Sequence, residues 1–225
     1  MNYFAHGRNF THDPYFLAGT CVPDWLGVLD RKNRARSRVA KTLFDDADPI
    51  VASVARGVAQ HHADDAWFHE TPAFFALQAT LTKSVRAVLP ADDRHRPSFL
   101  GHILVELLLD AELIAENPSS LADYYAVLDG LDPAVVAAAV NRITPRPVER
   151  LAELIPRFSA ERFLSDYLED AKLWFRLNQV MRRVKLPDLP SEFLGLLPEA
   201  RSLVRARRVE LLTIPTHESN REPIV

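Results

Sequence analysis

The sequence predicts an all-α protein that folds as a single multi-helix bundle. Apolar residues recur at three- and four-residue spacing in most segments, whereas strict alternation of apolar and polar residues is rare. Only 7 of the 225 residues are Gly while 16 are Pro, and the prolines separate the apolar segments. The hydrophobic fraction of 48% and the charged fraction of 25% are typical of a globular chain with a full core.

Helix boundaries follow from caps and prolines. Helices are predicted over 14–30, 35–45, 49–69, 72–89, 98–116, 119–129, 132–142, 146–156, 159–184 and 191–212. Ser98 follows Pro97 ahead of an apolar run, and Ser119 and Ser120 precede another, which is the position that N-caps prefer. Asp132 stands before a proline that suits a first helical turn. Breaks are predicted at 90–97, 117–118, 130, 145–147 and 185–190.

These elements predict one helical domain over 1–212, in which 1–116 carries the candidate chemistry and 117–212 is a helical half of unassigned role. The polar segment 213–225 is predicted to be a flexible tail. A net charge of −3 argues against non-specific binding to nucleic acid. The single cysteine, Cys21, and the lack of a signal-like start or of 18 consecutive apolar residues predict a cytoplasmic protein with no membrane span. The oligomeric state stays open.

A polar stripe runs through the apolar segment 99–114. His102, Glu106 and Asp110 recur at four-residue spacing, so a helix places them on one side. Burying such groups without partners would cost roughly 2 kcal/mol or more for each one. A metal ion or a buried cation would offset this cost. The alternative is an ordinary surface stripe in which His102 is a core or capping histidine.

A second stripe lies upstream, in the predicted helix over 49–69. His61, Asp65 and His69 again recur at four-residue spacing. Imidazole nitrogen and carboxylate oxygen one turn apart are suitable ligands for Zn, Mn or Fe. The pairs His61–Asp65 and His102–Glu106 are therefore predicted to converge on one centre inside a helical bundle.

The N-terminal segment adds two candidates, His6 and Asp24. Asp24 follows a proline inside an apolar stretch, and a buried carboxylate there would need a cation. A helix N-cap is an equally good interpretation of Asp24. An ion-pair network without a metal is disfavoured at this stage, because the candidate residues include no Lys or Arg.

These residues, in this order, resemble the acyl carrier protein phosphodiesterase family, an HD-domain-like group of metal-dependent phosphohydrolases. The matching motifs are MNYFAH (1–6), AGTCVPDW (18–25), the series Gly57, His61, Asp65 and Pro72, and the pair Gly101–His102. The match covers about residues 1–110. The chain departs from the family where Gly101 and His69 replace aspartates. The helical His–carboxylate pairs also look similar to those of zinc-dependent phospholipase C and related single-strand nucleases.

The resemblance implies an HD-like or phospholipase C-like core and a metal-dependent phosphohydrolase or phosphodiesterase. One or two divalent ions (Mn, Zn or Fe) are predicted, with the ligands His6, Asp24, His61, Asp65, His102 and Glu106. His69 or Asp64 is predicted to transfer protons, and Asp110 to orient a ligand. The expected substrate is a phosphoester, and the resemblance points to one carried on acyl carrier protein.

Positive charge for binding phosphate is expected on the segment 166–184, where the candidates are Arg176, Arg182, Arg183 and Lys172. A solvated helix face is the alternative for each of them. The alternative function for the whole chain is a non-catalytic helical binding protein whose metal is structural. The two functions differ in whether the ion keeps an open coordination position.

Overall fold

Most of the long helices begin at a proline. The computed structural model describes residues 1–92 and 94–214, and in these ranges it is all-α, without β-strands. The α-helices are α1 (Tyr3–Gly7), α2 (Pro14–Leu29), α3 (Ser37–Lys41), α4 (Pro49–Phe68), α5 (Pro72–Val88), α6 (Pro97–Glu116), α7 (Pro118–Asp129), α8 (Pro133–Ile143), α9 (Leu151–Glu161), α10 (Asp170–Arg183), α11 (Leu197–Ala206) and α12 (Arg208–Leu211), and two 3-10 segments span Phe163–Leu168 and Ser191–Leu196. Proline suits a first helical position because its missing N–H has no intrahelical acceptor there.

Short polar side chains cap several of these starts. Asp13 accepts from the Phe16 N–H at 3.0 Å, Asp48 from Ile50 at 2.9 Å, and Thr71 from Phe74 at 3.1 Å. Each bond satisfies a backbone donor that the first turn leaves free. The caps therefore fix the starts of α2, α4 and α5.

Two helix pairs form the largest contacts of the fold. α2 packs along α4, and α5 packs along α6. At the first contact a Cβ built on Gly57 would lie 2.1 Å from the Phe16 carbonyl oxygen and 2.8 Å from the Gly19 Cα. The two backbones therefore approach at a distance that only glycine permits.

Helix α6 lies at the centre of the molecule. Its leucines are almost fully buried, among them Leu100, Leu104 and Leu108. It contacts α5, α1, α7, α11 and the first 3-10 segment, so neighbours cover it on several sides. The expectation that this apolar helix is buried all round is confirmed for most of its length.

The helix predicted over 159–184 is wrong as a continuous element. Arg162 has a φ of 48° and ends α9, and a 3-10 segment precedes α10. The Arg162 guanidinium pairs with Asp129 and lies 4.5 Å from the centre of the Tyr125 ring, while the Tyr125 hydroxyl accepts from the Leu164 N–H. These tertiary contacts hold a backbone turn that the helical spacing of apolar residues did not reveal.

Other boundaries also differ from the prediction. The segment 35–45 is helical only over Ser37–Lys41, the helix expected over 146–156 lies at Leu151–Glu161, and 191–212 divides into a 3-10 segment and two short helices. Helix α1 was not predicted. The predicted tail begins at 213, and its residues 215–225 lie outside the described ranges. No helix in the described part of the chain has the length and hydropathy needed to cross a bilayer.

Candidate metal centre

Two clusters of histidine and carboxylate side chains lie where α1, α4 and α6 approach one another. The first triad consists of His6, His61 and Asp65, and the second triad of His69, His102 and Glu106. In each triad one nitrogen or oxygen atom of every residue lies within 4.8 Å of the others. Five of the six predicted metal ligands thus belong to a triad, and so does His69, for which we predicted proton transfer.

In the first triad, the backbone of α2 fixes the orientation of His61. Its Nδ1 donates to the Thr20 carbonyl oxygen at 2.8 Å, and a carbonyl can only accept. Nδ1 therefore carries the proton, and Nε2 faces Asp65 Oδ2 at 3.4 Å. The bond to Thr20 depends on the close contact of α2 with α4 at Gly19 and Gly57.

His6 completes the first triad from α1. Its ring stacks on that of His61, with centroids 4.0 Å apart. Nδ1 lies 3.1 Å from Asp64 Oδ2 and Nε2 lies 3.3 Å from Asp65 Oδ1. Burial lowers the pKa of His6, but the hydrogen bonds to Asp64 and Asp65 outweigh it and raise the pKa to about 9. At this pKa the ring carries a proton on both nitrogens at neutral pH, so a metal ion at Nε2 would have to displace the proton that faces Asp65.

The second triad joins the end of α4 to α6. His69 Nε2 and His102 Nε2 lie 2.9 Å and 3.2 Å from the same oxygen, Glu106 Oε1. The His69 and His102 side chains are 31% and 35% exposed, whereas those of His6 and His61 are 0% and 4% exposed. The second triad is therefore the more accessible of the two.

The α-amino group of Met1 lies between the triads. It donates to Asp65 Oδ1 at 2.6 Å and to Glu106 Oε1 at 3.2 Å, so these two oxygens lie within 5.8 Å of each other, the sum of the two distances. Burial lowers the pKa of this amine, but Glu106 and Asp65 outweigh it and raise the pKa. This ammonium is a positive charge that the search for Lys and Arg did not consider.

Both carboxylates are in the form that a metal requires. Burial opposes the ionisation of Asp65, but its contacts with the His6 and His61 rings and with the Met1 ammonium hold its pKa well below the usual range. Burial also opposes ionisation of Glu106, and the α-amino group with His102 and His69 holds its pKa low in turn. The two groups therefore carry negative charge at neutral pH.

Asp24 lies close to both triads without joining either. Burial raises its pKa against the opposing effect of His61 and His6. Within the described residues its carboxyl group has no hydrogen bond or ion pair with another side chain, and it lines a cavity beside Glu106. The helix-cap interpretation of Asp24 does not describe its position, because α2 begins at Pro14 and Asp24 lies in the interior of that helix.

Asp64 lies behind His6, away from the cavity. Its carboxylate contacts His6 Nδ1 and accepts from Gln60 Nε2 at 2.7 Å, and the residue is buried. The structure thus gives Asp64 the position of a group that orients a ligand, not that of the predicted proton-transfer group.

Asp110 orients the N-terminal segment rather than His102. Its oxygens accept from the backbone N–H groups of Phe4 and Ala5, at 3.1 Å and 2.8 Å, and from Asn2 Nδ2 at 2.8 Å. It therefore acts as an N-terminal cap for α1 from a distant helix, and α1 carries His6. Burial raises the pKa of Asp110 to about 6, although these hydrogen bonds lower it.

Gly101, where the resemblance would imply an aspartate, packs closely against α5. A Cβ at this position would lie 2.4 Å from Thr82 Oγ1 and 2.9 Å from the Gln78 carbonyl oxygen of α5. An aspartate would not fit this contact between α5 and α6. His102 is the neighbouring residue, and its ring contacts the Phe74 ring of α5, with centroids 5.0 Å apart.

A cavity of about 490 Å³ opens beside Asp24 and Glu106. Of the basic residues proposed to bind phosphate, Arg176 and Arg183 line it. Arg182 instead pairs with Asp188 at 2.7 Å, and Lys172 with Glu169 at 2.7 Å. Sequence reasoning did not select Arg31 and Arg157, which also line this cavity.

No protein-family model, no curated protein and no solved structure matches this chain. The arguments for its function therefore come from the geometry of the two triads and the cavity.

Proposed function

We propose that the protein is a metal-dependent phosphoester hydrolase that binds two divalent ions. The observation that carries this proposal is the pair of adjacent triads, each with two histidines and one carboxylate. The nearest oxygens of Asp65 and Glu106 lie within 5.8 Å of each other, since the same nitrogen is 2.6 Å from one and 3.2 Å from the other. This upper limit allows two ions about 3.5–4 Å apart, the separation found in two-metal phosphatases and nucleases.

The residues present fit such ions. The tautomer of His61 leaves Nε2 without a proton on the side of Asp65, and His6 Nε2 lies 3.3 Å from Asp65 Oδ1 on the same side. Two imidazole nitrogens and one carboxylate oxygen form a set of donors that Mn, Zn and Fe accept. Three protein ligands for each ion leave coordination positions open, which is typical of catalytic rather than structural sites.

When bound, the ions would lower the pKa of water from 15.7 towards about 7 and neutralise phosphoryl oxygens. The chain itself supplies orientation and proton transfer. Asp64 holds the His6 ring and the Thr20 carbonyl holds the His61 ring, so both nitrogens stay aimed at Asp65. We assign proton transfer to Asp24, because it lines the cavity beside the triads and has no side-chain partner in the described residues. Burial raises the pKa of Asp24 towards the range that acid–base catalysis uses.

One observation favours a second candidate, a non-catalytic helical binding protein without metal. The Met1 ammonium already lies between Asp65 and Glu106 and compensates part of their charge. In that case the two triads would form a structural network of ion pairs and hydrogen bonds. A test must therefore distinguish bound metal from this ammonium.

The test is metal analysis of protein purified without chelator, for the wild type and the variants His61→Ala and Glu106→Gln. We expect the wild type to retain metal, and each variant to lose much of it. His62→Ala is the matched control, because His62 lies beside His61 but bonds to the Ala35 carbonyl outside both triads. Equal metal content in all four proteins would overturn the assignment of the site.

Activity provides the second measurement. Hydrolysis of bis(p-nitrophenyl) phosphate with added Mn²⁺ or Zn²⁺ should require Glu106 and should be abolished by chelation. A wild type that binds no metal and hydrolyses no phosphoester would favour the second candidate. A wild type that holds metal but stays inactive on every phosphoester would restrict the ions to a structural role.

A further inference from the structure

The cavity beside the triads has walls and a rim of different chemistry. Its walls are largely aromatic and apolar, and they include Trp25, Phe158 and Phe163. The Trp25 indole N–H is buried and has no acceptor in the described residues. At the inner side the cavity reaches Asp24 and Glu106, next to the triads. A ligand here would therefore meet the proposed ions at one side and a flat apolar surface along its length.

The rim carries three arginines with no carboxylate partner in the described ranges, namely Arg31, Arg157 and Arg183. Eleven other arginines in the described ranges pair with an acid. Arg182, next to Arg183, binds Asp188 through both its Nε and its terminal nitrogen. Arg176 also lines the cavity, but Asp166 and Glu161 already neutralise it.

Exposure orders these groups by depth. Arg31, Arg157 and Arg183 are exposed, whereas Glu106 is only 16% exposed. The unpaired guanidinium groups thus lie towards solvent together with Glu161, which is 60% exposed, whereas Glu106 lies inside. On this difference in exposure, we place an anion held by the three arginines apart from the anion held by the proposed ions.

We infer that the cavity binds an organic phosphoester with a second anionic group, joined to the first through a flat or apolar body. The phosphoester that is hydrolysed lies at the triads, and the rim arginines hold the second phosphate or carboxylate. This inference rests on the proposed function for the assignment of the inner side. Binding of the second anion at the rim needs no metal ion, because guanidinium groups bind phosphate and carboxylate directly.

The first measurement compares two chromogenic esters that differ by one phosphate. These are thymidine 5′-(p-nitrophenyl phosphate) and the same molecule with a 3′-phosphate. With Mn²⁺ present we expect the 3′-phosphate to lower KM about tenfold, since a charge-assisted hydrogen bond contributes about 1.5 kcal/mol or more. Arg183→Ala and Arg157→Ala should remove this difference between the two esters.

Arg182→Ala is the matched control, because it removes an adjacent guanidinium that Asp188 already neutralises. It should leave the tenfold difference in place. A wild type that shows no preference for the 3′-phosphate would overturn the inference. The same conclusion would follow if Arg183→Ala and Arg182→Ala gave equal values of KM.

The second measurement does not depend on catalysis. Calorimetry would measure the binding of thymidine 3′,5′-bisphosphate to chelator-treated protein, and Arg183→Ala should weaken binding about tenfold relative to Arg182→Ala. If this difference is found in a protein that neither binds metal nor hydrolyses esters, the proposed function fails and the anion site stands. If hydrolysis requires metal but Arg183→Ala binds the bisphosphate normally, only the anion site fails.

Discussion

At the scale of single residues, Asp64 controls the position of a candidate ligand without facing the cavity. Its carboxylate lies 3.1 Å from His6 Nδ1, so it directs the opposite ring nitrogen towards Asp65. Carboxylates in this position raise the basicity of the histidine and fix its tautomer. Asp64 therefore influences an ion that it does not touch.

We predict that Asp64→Ala lowers the affinity for Mn²⁺ or Zn²⁺ by about 10- to 100-fold, the usual effect of removing such a partner. Titration of chelator-treated protein with the metal would measure this change. Gln60→Ala is the control, because it removes the other partner of Asp64 and leaves the contact with His6 in place. An unchanged affinity in Asp64→Ala would show that the orientation of His6 does not depend on this carboxylate.

Protonation of the buried Asp110 carboxyl group is coupled to folding. Burial raises its pKa to about 6 from an ordinary value of 3.8, so between these values the folded chain holds a proton that the unfolded chain has lost. The contribution of this bound proton to the free energy of unfolding is therefore fully present below pH 3.8 and is lost as the pH rises through 6.

We predict that wild-type protein loses stability relative to Asp110→Asn as the pH rises from 4 to 7. A difference of roughly 2 pKa units corresponds to about 3 kcal/mol in the free energy of unfolding. Denaturant unfolding of both proteins in chelator, at the two pH values, would measure it. A constant difference between the two proteins would mean that the carboxyl group titrates normally in the folded state.

Single residues were also where sequence reasoning found most of the candidate site. Four-residue spacing on a helix is a local property, so it selected His61, Asp65, His102 and Glu106 correctly as neighbours along each helix. It did not show that His69 contacts Glu106, since that contact crosses between helices. It did not find the Met1 ammonium either, because a search by residue type ignores a backbone amine.

At the scale of elements, the contact of α2 with α4 determines the first triad. Gly19 and Gly57 allow the two backbones to approach until the Thr20 carbonyl oxygen is 2.8 Å from His61 Nδ1. A side chain at either glycine would meet backbone atoms, which cannot rotate away. The closeness of these helices is therefore a condition of the site and not only of the fold.

We predict that Gly57→Ala lowers the free energy of unfolding by about 3 kcal/mol or more, because the new Cβ overlaps backbone and the helices must separate. Gly27→Ala in the same α2 is the control: its Cβ would meet nothing within 4 Å. That substitution should be neutral or stabilising by roughly 0.5–1 kcal/mol. Chemical denaturation would measure both, and equal stability of the two variants would contradict the proposed contact.

The helices also show what the spacing of apolar residues cannot predict. Helix α6 was predicted to within one residue because the spacing of its apolar residues is a local signal, although Pro97 was assigned to the preceding break and Ser98 to the cap. The segment 159–184 was not, because its break at Arg162 depends on Asp129 and Tyr125, more than thirty residues away in the chain. Spacing of apolar residues indicates a buried face, but not where the backbone turns between two such faces.

At the scale of the whole molecule, the candidate centre joins two parts of the fold. The pairs α2–α4 and α5–α6 are the most extensive contacts, whereas α4 and α6 share few direct contacts in the described part. The connection between them runs through the contacts of Met1 and His69 with Asp65 and Glu106. An ion bound to each triad would strengthen this connection, because α1, α4 and α6 all contribute ligands.

This arrangement makes the thermal stability of the protein depend on metal. At a free-metal concentration 100 times Kd, one bound ion stabilises the folded state by about 2.7 kcal/mol, which corresponds to a rise in Tm of roughly 5–10 °C for a chain of this size. Thermal unfolding followed by circular dichroism, with Mn²⁺ or Zn²⁺ and then with chelator, would measure the change. In Glu106→Gln we expect a smaller rise, because the second triad loses its anionic ligand. His62→Ala should behave as the wild type does. If the Tm of wild type and Glu106→Gln responded equally to metal, the ions would bind elsewhere, and the Met1 ammonium would remain as the cation between the two carboxylates.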